Sequence, residues 1–268
     1  MTSLHYAAVA LAIILASLGV YLNDTDEVTT VPTTVTSETS AESKDTFTEV
    51  AYTVDETDFV AAGKLINNIQ NSDLTDAEAA DLIFMREEEK LARDVYLTLG
   101  EKWGMQIFSN IASSEETHTE AIRTLLERYD LEDPAKAARG EFTNPDLQKL
   151  YTELVTEGNK SLAATLTVGA EIEDLDIRDI EAAIARTDNA DIQTVYGNLE
   201  RGSRNHLRAF NRQLIATTGA AYEPQYMSEA EFNAIIESET ERGGGAGNGG
   251  NGNGAGGQGN GRGQGGGR

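Results

Sequence analysis

The sequence of 268 residues contains no cysteine. Disulfide bonds, thiolate nucleophiles, zinc sites with Cys ligands and Cys-held iron–sulfur clusters are therefore excluded, and so is a lipid anchor attached to cysteine. Basic residues are also few, since 21 Lys and Arg stand against 45 Asp and Glu and give a formal net charge of −24. This charge disfavours nucleic acid and anionic membrane surfaces as partners, because both would repel the chain.

An acidic surface with little lysine suits a salt-rich environment, where screening weakens the repulsion between like charges. A halophilic setting is therefore one interpretation of the composition, and an ordinary acidic protein is the other. The sequence also lacks a P-loop and a Gly-x-Ser-x-Gly elbow, so P-loop nucleotide hydrolysis and α/β-hydrolase chemistry have no support.

The two ends of the chain differ in composition from its middle. Residues 6–22 are apolar and uncharged, and their length lies between that of a signal-peptide core and that of a membrane-spanning helix. We expect residues 1–22 to be an export signal, either cleaved or kept as a membrane anchor. We expect residues 23–72 to form a disordered acidic stalk with a short helix near its end, and residues 241–268 to form a flexible tail of Gly and Asn. The protein would then be exported, and either extracellular or anchored facing outside.

Residues 73–240 carry the helical signals of one all-α domain. The capping box Thr75-x-x-Glu78 predicts the start of a long helix, and Asn144-Pro145 predicts the start of a shorter one. In chain order, we expect helices over residues 75–103, 105–129, 144–158, 161–186 and 190–216, and a last short one after Ser228. The first two and the last two long helices are joined tightly, whereas a long connection with its own short helix separates the pairs. This connectivity predicts a ferritin-like antiparallel four-helix bundle with one crossover, between the second and third long helices.

Each of the four long helices has a seam of apolar residues at helical spacing, and polar residues interrupt every seam. The interrupting residues are Glu89; Glu115 and His118; Glu173 and Asp176; and His206. A buried carboxylate or imidazole is costly unless it is paired or binds a metal, and Glu-x-x-His is the spacing by which a bundle presents two metal ligands inward. From the rise per residue on either side of the tight turns, these side chains fall in one layer. The pattern predicts a metal site, and ligands without sulfur suit iron, manganese or zinc.

Several of these residues also have a second interpretation that involves no metal. Glu89 could belong to a solvated acidic face, and His118 could be an ordinary core or surface histidine. Asp176 could pair with Arg178, and His206 could belong to a basic patch. The candidate ligands of all four helices fall at one depth in the bundle. This agreement favours a common metal site over these separate explanations.

Four segments carry a resemblance to a known family. They are REEEKLARDVY at 86–96, EETHTEAI at 115–122, EIEDLDIRDIE at 171–181 and RGSRNHLRAF at 201–210. The first two are similar to the first helix pair of rubrerythrin-type and ferritin-type di-iron proteins. Together, the four resemble the ferritin-like family called domain of unknown function 2202, over about residues 73–226. The resemblance implies a ferritin-like fold and a carboxylate-bridged metal pair.

The resemblance also implies a role for five of the residues. Glu89 would be a terminal ligand of the first metal, and His118 would complete the shell of that metal. Glu115 would bridge the two metals. Glu173 and His206 would bind the second metal.

One position departs from the di-iron pattern, because Ser203 stands where a glutamate is expected three residues before His206. Asp176, on the same helix face as Glu173, could supply the missing carboxylate; otherwise the second site is weak or the protein binds one metal. Tyr96 could be a redox neighbour of the metals or an ordinary core tyrosine.

Two functions follow from these observations. The first is a non-haem di-metal oxidoreductase, or a protein that handles iron or peroxide, with electrons from an external donor because the chain has no Cys-held redox centre. The second is an exported helical module for binding or scaffolding, which is not an enzyme and whose metal site is structural or vestigial. The redox behaviour of the bound metal separates the two.

Overall fold

The computed structural model describes Lys64, residues 66–70 and residues 72–242, all of them within the compact unit Thr46–Arg268. These described residues form helices and no strand, which confirms the predicted all-α class. The helices are α1 (Asp76–Trp103), α2 (Gln106–Arg128), α3 (Pro145–Gly158), α4 (Leu162–Ile184), α5 (Ala190–Thr218) and α6 (Glu229–Glu237). The four long helices are α1, α2, α4 and α5, and α3 lies in the connection between α2 and α4.

Local sequence signals set the ends of the helices. The side chains of Thr75 and Glu78 form the predicted capping box at α1, and Asn144 accepts hydrogen bonds from backbone N–H groups in the first turn of α3. The first helix stops at Gly104, whose φ of 66° lies in the left-handed region that favours glycine. The predicted bounds of these helices therefore agree with the observed ones to within about two residues.

The four long helices pack in a closed ring, with α1 on α2 and α4, and α5 on α4 and α2. Neighbouring helices run antiparallel. Glu89 on α1 contacts His118 on α2, and Gly100 further along α1 lies against Phe108, nearer the start of α2. Side chains from all four helices can therefore meet at one level inside the ring.

Charged side chains of α1 hold the long crossover between α2 and α4. The Glu87 carboxylate accepts hydrogen bonds from the backbone N–H groups of Thr143 and Asn144, at 2.6 and 2.8 Å. Lys90 donates to Asp94 at 2.5 Å and also to backbone carbonyls of the crossover. The acidic run in the middle of α1 is consequently buried and is not a solvated face, because the crossover covers part of it and supplies hydrogen-bond donors.

Two apolar clusters fill the bundle on either side of a polar layer. One contains Phe108 and Phe210, and the other contains Leu82 and Leu125. The second cluster also includes Ile66, which is 1% exposed. The packed core therefore extends N-terminal of residue 73, where the sequence predicts the domain to begin.

The predicted export segment 1–22 lies outside the described residues, as do most of the predicted stalk and residues 243–268 of the predicted tail. Within the described part of the chain, no helix is both long enough and apolar enough to cross a membrane. The predictions of export and anchoring stay predictions.

Candidate metal centre

The six candidate ligands lie on the four long helices, and all six are buried. They are Glu89 on α1, Glu115 and His118 on α2, Glu173 and Asp176 on α4, and His206 on α5. None of the six exposes more than 4% of its surface. Each lies on the face of its helix that packs against the core, among apolar residues at helical spacing. This is why the apolar seams in the sequence predict these positions.

The first group of ligand-type atoms joins α1 and α2. Nδ1 of His118 lies 2.9 Å from Oε2 of Glu115 and 3.2 Å from Oε2 of Glu89. One ligand atom from each of these three residues lies within 4.8 Å of the others. The Glu-x-x-His spacing therefore places both of its side chains on one inward face, opposite the carboxylate of the neighbouring helix.

The second group shares Glu115 with the first and adds residues from α4 and α5. Nδ1 of His206 lies 2.8 Å from Oε1 of Glu115 and 3.4 Å from Oε2 of Glu173, and these three residues also meet the 4.8 Å spacing. The rings of His118 and His206 are stacked with centroids 5.6 Å apart. The two oxygens of Glu115 thus face two different imidazoles, which is the geometry of a carboxylate shared by two neighbouring sites.

Two hydroxyl groups support the second group. Oγ of Ser114 lies 3.0 Å from Nε2 of His206, on the opposite side of the ring from Nδ1. The Tyr96 hydroxyl donates to Oε1 of Glu173 at 2.5 Å, while the ring of Tyr96 packs in the apolar cluster. Tyr96 is therefore both a core tyrosine and a neighbour of a candidate ligand.

Asp176 lies beside the two groups without belonging to either. The Ser203 hydroxyl donates to Oδ2 of Asp176 at 2.5 Å, whereas Oδ1 is buried with no hydrogen-bond partner among the described residues. The alternative pairing with Arg178 is not observed, because both oxygens of Asp179 accept from that guanidinium. Ser203 on α5 stands where a glutamate was expected, and the carboxylate of Asp176 on α4 contacts this serine instead.

The basic residues around His206 do not form a patch directed at the centre. Arg204 and Arg208 both pair with Glu241, at 2.6 and 2.7 Å, and Arg204 also pairs with Glu200. These contacts tie the segment after α6 to the outer face of α5. They leave the imidazole of His206 directed inward.

Residues 78–239 match the sequence family described as uncharacterized protein domain DUF2202. The chain belongs to this family. The uncharacterized protein MJ0754 of Methanocaldococcus jannaschii is 54% identical over 179 residues, which cover 66% of this chain and 96% of that protein. The crystal structure of hypothetical protein MJ0754 from Methanococcus jannaschii matches at a TM-score of 0.63 and 53% identity, over 65% of this chain and 99% of that chain. The family predicted from four sequence segments is confirmed.

Burial and neighbouring carboxylates raise the pKa of several candidate ligands in this DUF2202 protein. Burial raises the pKa of Glu89 to about 7, although His118 lowers it, and burial raises the pKa of Glu173 against the effect of His206. The pKa of Asp176 lies well above its ordinary value because of burial and the carboxylates of Glu89 and Glu173. Full ionisation of these groups therefore needs a compensating positive charge inside the bundle.

The pKa values of Glu115 and His118 each depend on the charge of the other residue. Burial tends to raise the pKa of Glu115, but His118 and His206 hold that pKa below its ordinary value. Burial tends to lower the pKa of His118, but Glu115 and Glu89 outweigh it and raise the pKa to about 10. Glu115 therefore carries a negative charge between two imidazoles, as expected of a ligand that two cations could share.

The burial of Glu88 was not predicted from the sequence, where the acidic run around Glu89 could also be a solvated face. Glu88 is 4% exposed, and burial together with the carboxylates of Asp179 and Asp176 on α4 raises its pKa well above the ordinary value. The spacing of Asp176 and Asp179 puts a second carboxylate one turn along the same face of α4, but it does not show which residue of α1 lies opposite. Ser114 carries no comparable signal, since a serine is ordinary at many helix positions.

Proposed function

We propose that this chain is a ferritin-like metalloprotein that binds two divalent metal ions, with iron as the first candidate, between its four long helices. The observation that carries the proposal is Glu115, whose two carboxylate oxygens each lie beside a different histidine. A carboxylate in this position would bridge two ions, as the resemblance to di-iron proteins implies. Glu89 and His118 would complete one site, and Glu173 and His206 the other.

The chemistry of the donor atoms fits such ions. The centre offers carboxylate oxygens and imidazole nitrogens without sulfur, a set that iron and manganese accept and that zinc also tolerates. When ionised, Glu89, Glu115, Glu173 and Asp176 carry four negative charges, which two divalent cations balance. Oε1 of Glu89 and Oδ1 of Asp176 are buried without a hydrogen-bond donor among the described residues, and a cation would satisfy them.

Asp176 and Ser203 replace the glutamate of the usual di-iron pattern. Because Asp176 lies outside both groups of ligand atoms, we infer that it contributes negative charge, and that Ser203 orients it through the 2.5 Å hydrogen bond. The carboxylate that the di-iron pattern places on α5 is supplied here by Asp176 on α4. The negative charge of the centre is therefore the same, although the sequence motif differs.

The proposed centre suits oxidation and reduction at the metal. A bound iron pair would supply electrons to O₂ or peroxide. The chain itself would hold both ions through Glu115, exclude water with its two apolar clusters, and fix Glu173 through the Tyr96 hydroxyl. Electrons for repeated turnover would come from an external donor, because the chain has no cysteine.

We further propose that the protein is exported, because residues 1–22 have the composition of an export signal.

Anaerobic loading of the full chain with Fe(II), followed by exposure to air in an oxygen electrode, tests this function. We expect O₂ consumption as the bound iron is oxidised, and a loss of most of that consumption in His206→Ala. Glu116→Ala is the matched control, because Glu116 is exposed and pairs with Arg93 at 2.5 Å on the surface. Iron that stays reduced in air, or binding of zinc alone, would contradict the proposal and favour an exported scaffold with a structural metal.

A further inference from the structure

Two consecutive residues of α2 contact the imidazole of His206, one at each ring nitrogen. Nδ1 lies 2.8 Å from Oε1 of Glu115, and Nε2 lies 3.0 Å from Oγ of Ser114. Ser114 is 2% exposed and His206 is 1% exposed, so water does not compete for either contact. The second helix therefore supplies both the shared carboxylate and a hydroxyl group on the far side of the ring that faces it.

The hydroxyl of Ser114 fixes the orientation of this ring. A half-turn of an imidazole about its bond to Cβ exchanges each nitrogen with a carbon, so it would place carbon atoms beside Ser114 and Glu115 and break both contacts. The ring of His206 also stacks on that of His118, with the two planes inclined by 28°. The stacking and the hydrogen bond together hold the ring with Nδ1 towards Glu115 and Glu173.

The same hydroxyl selects the nitrogen that binds a cation. A neutral imidazole carries one hydrogen, and a metal ion takes the lone pair of the other nitrogen. When Nε2–H donates to Oγ of Ser114, the lone pair lies on Nδ1, which is the nitrogen beside the two carboxylates. A metal-binding histidine usually has such a partner at its second nitrogen, and the partner orients the ring and strengthens the ligand.

We propose that Ser114 is a positioning residue that directs Nδ1 of His206 to the second metal ion. That ion would be bound by Glu115, Glu173 and His206. This inference rests on the proposed function, because it concerns how one of the two proposed ions is held. The other group of candidate ligands does not include His206, so the hydroxyl of Ser114 distinguishes the two ions.

Calorimetric titration of the metal-free full chain with Co(II) tests this role, because it counts the bound ions and measures their affinities. Ser114→Ala removes only the hydroxyl and introduces a strong helix former, so the helix should be kept. We expect one ion to bind as in the wild type and the other to bind about tenfold more weakly, as is typical when a group that orients a metal ligand is lost. Ser113→Ala is the control, because Ser113 is the exposed neighbour on the same helix.

A second pair of proteins separates positioning from a general effect on packing. Without the imidazole, the hydroxyl of Ser114 has no ring to orient. The double variant Ser114→Ala with His206→Ala should therefore bind its remaining ion as tightly as His206→Ala alone, since the two substitutions remove the same contact. Thermal melts establish that all four variants are folded.

Wild-type affinity for both ions in Ser114→Ala would overturn this role and leave the proposed function intact. Equal weakening of both ions, or a further loss of affinity in the double variant, would also overturn it, since Ser114 would then act on the packing of the helix and not through His206. A wild-type chain that binds no cobalt would instead contradict the proposed function itself, and this inference with it.

Discussion

Single charged residues determine what the core of this bundle can hold. Glu115 is buried between His118 and His206, whereas its neighbour Glu116 is exposed and pairs with Arg93. The two positions differ because a buried charge must be balanced inside the protein, while water screens an exposed one. The sequence predicts this difference, since Glu115 lies on the apolar seam of its helix and Glu116 does not.

The stability of the metal-free protein should fall as the pH rises. The pKa of His118 in the folded chain, about 10, lies above its ordinary value of 6.5, so its proton stabilises the fold below pH 6.5 and this contribution is lost through pH 10. Glu89 acts in the same direction between pH 4.5 and about 7, because its folded pKa is also raised. Melting temperatures of chelator-treated protein from pH 6 to 10 measure the effect.

A His118→Asn variant is the control for this pH dependence. It removes the imidazole that titrates, so its melting temperature should vary less than that of the wild type above pH 7. Parallel curves for the two proteins would show that His118 does not keep its proton in the folded chain.

At the scale of the helices, the close approach of α4 to α5 depends on a glycine. A Cβ atom at Gly169 would lie 2.5 Å from the ring of Phe210, whereas a Cβ at Gly197 would meet nothing within 4 Å. We expect Gly169→Ala to destabilise the protein by about 1–3 kcal/mol through overpacking, and Gly197→Ala to stabilise it by up to about 1 kcal/mol through helix propensity. Urea unfolding measures both, and equal effects of the two substitutions would contradict this packing.

Helix bounds could be predicted from the sequence because caps and seams are local. Thr75 with Glu78, and Asn144, each act within one helical turn, and the structure confirms both predicted caps. The burial of Glu88 could not be predicted, since it depends on how α1 meets α4 after the crossover is closed. The contact between Ser203 and Asp176 likewise joins two helices, and helical periodicity only shows that both face inward.

At the scale of the whole molecule, the bundle uses residues that precede its first long helix. Ile66 is 1% exposed in the apolar cluster around Leu82, and Arg128 donates to the backbone carbonyl of Ile69. We expect Ile66→Ala in the full chain to destabilise the fold by about 2–4 kcal/mol, because it leaves a cavity. The comparison is Ile83→Ala, at a position that is 38% exposed, where urea unfolding should detect a change below about 1 kcal/mol. Similar losses of unfolding free energy at both positions would contradict the burial of Ile66 in the core.

The order of the helices and the all-α class could be predicted from the sequence, because tight and long connections restrict how four helices can pack. The contribution of Ile66 to the core could not, since the sequence places it in a short helix at the end of a solvated stalk and shows none of its contacts with the bundle. A short apolar segment next to such a stalk becomes recognisable as core only through its contacts with distant helices.

The number of metal ions bound per chain tests the central claim most directly. The full chain, Glu115→Ala and Glu116→Ala are stripped with a chelator, reconstituted anaerobically with Fe(II) and compared by elemental analysis, with melts to establish folding. Two ions are expected in the wild type and in Glu116→Ala. Neither ion should remain firmly bound in Glu115→Ala, which should also melt at a lower temperature, because that carboxylate faces both histidines. A folded wild type without metal, or the same metal content in all three proteins, would contradict a shared two-metal centre.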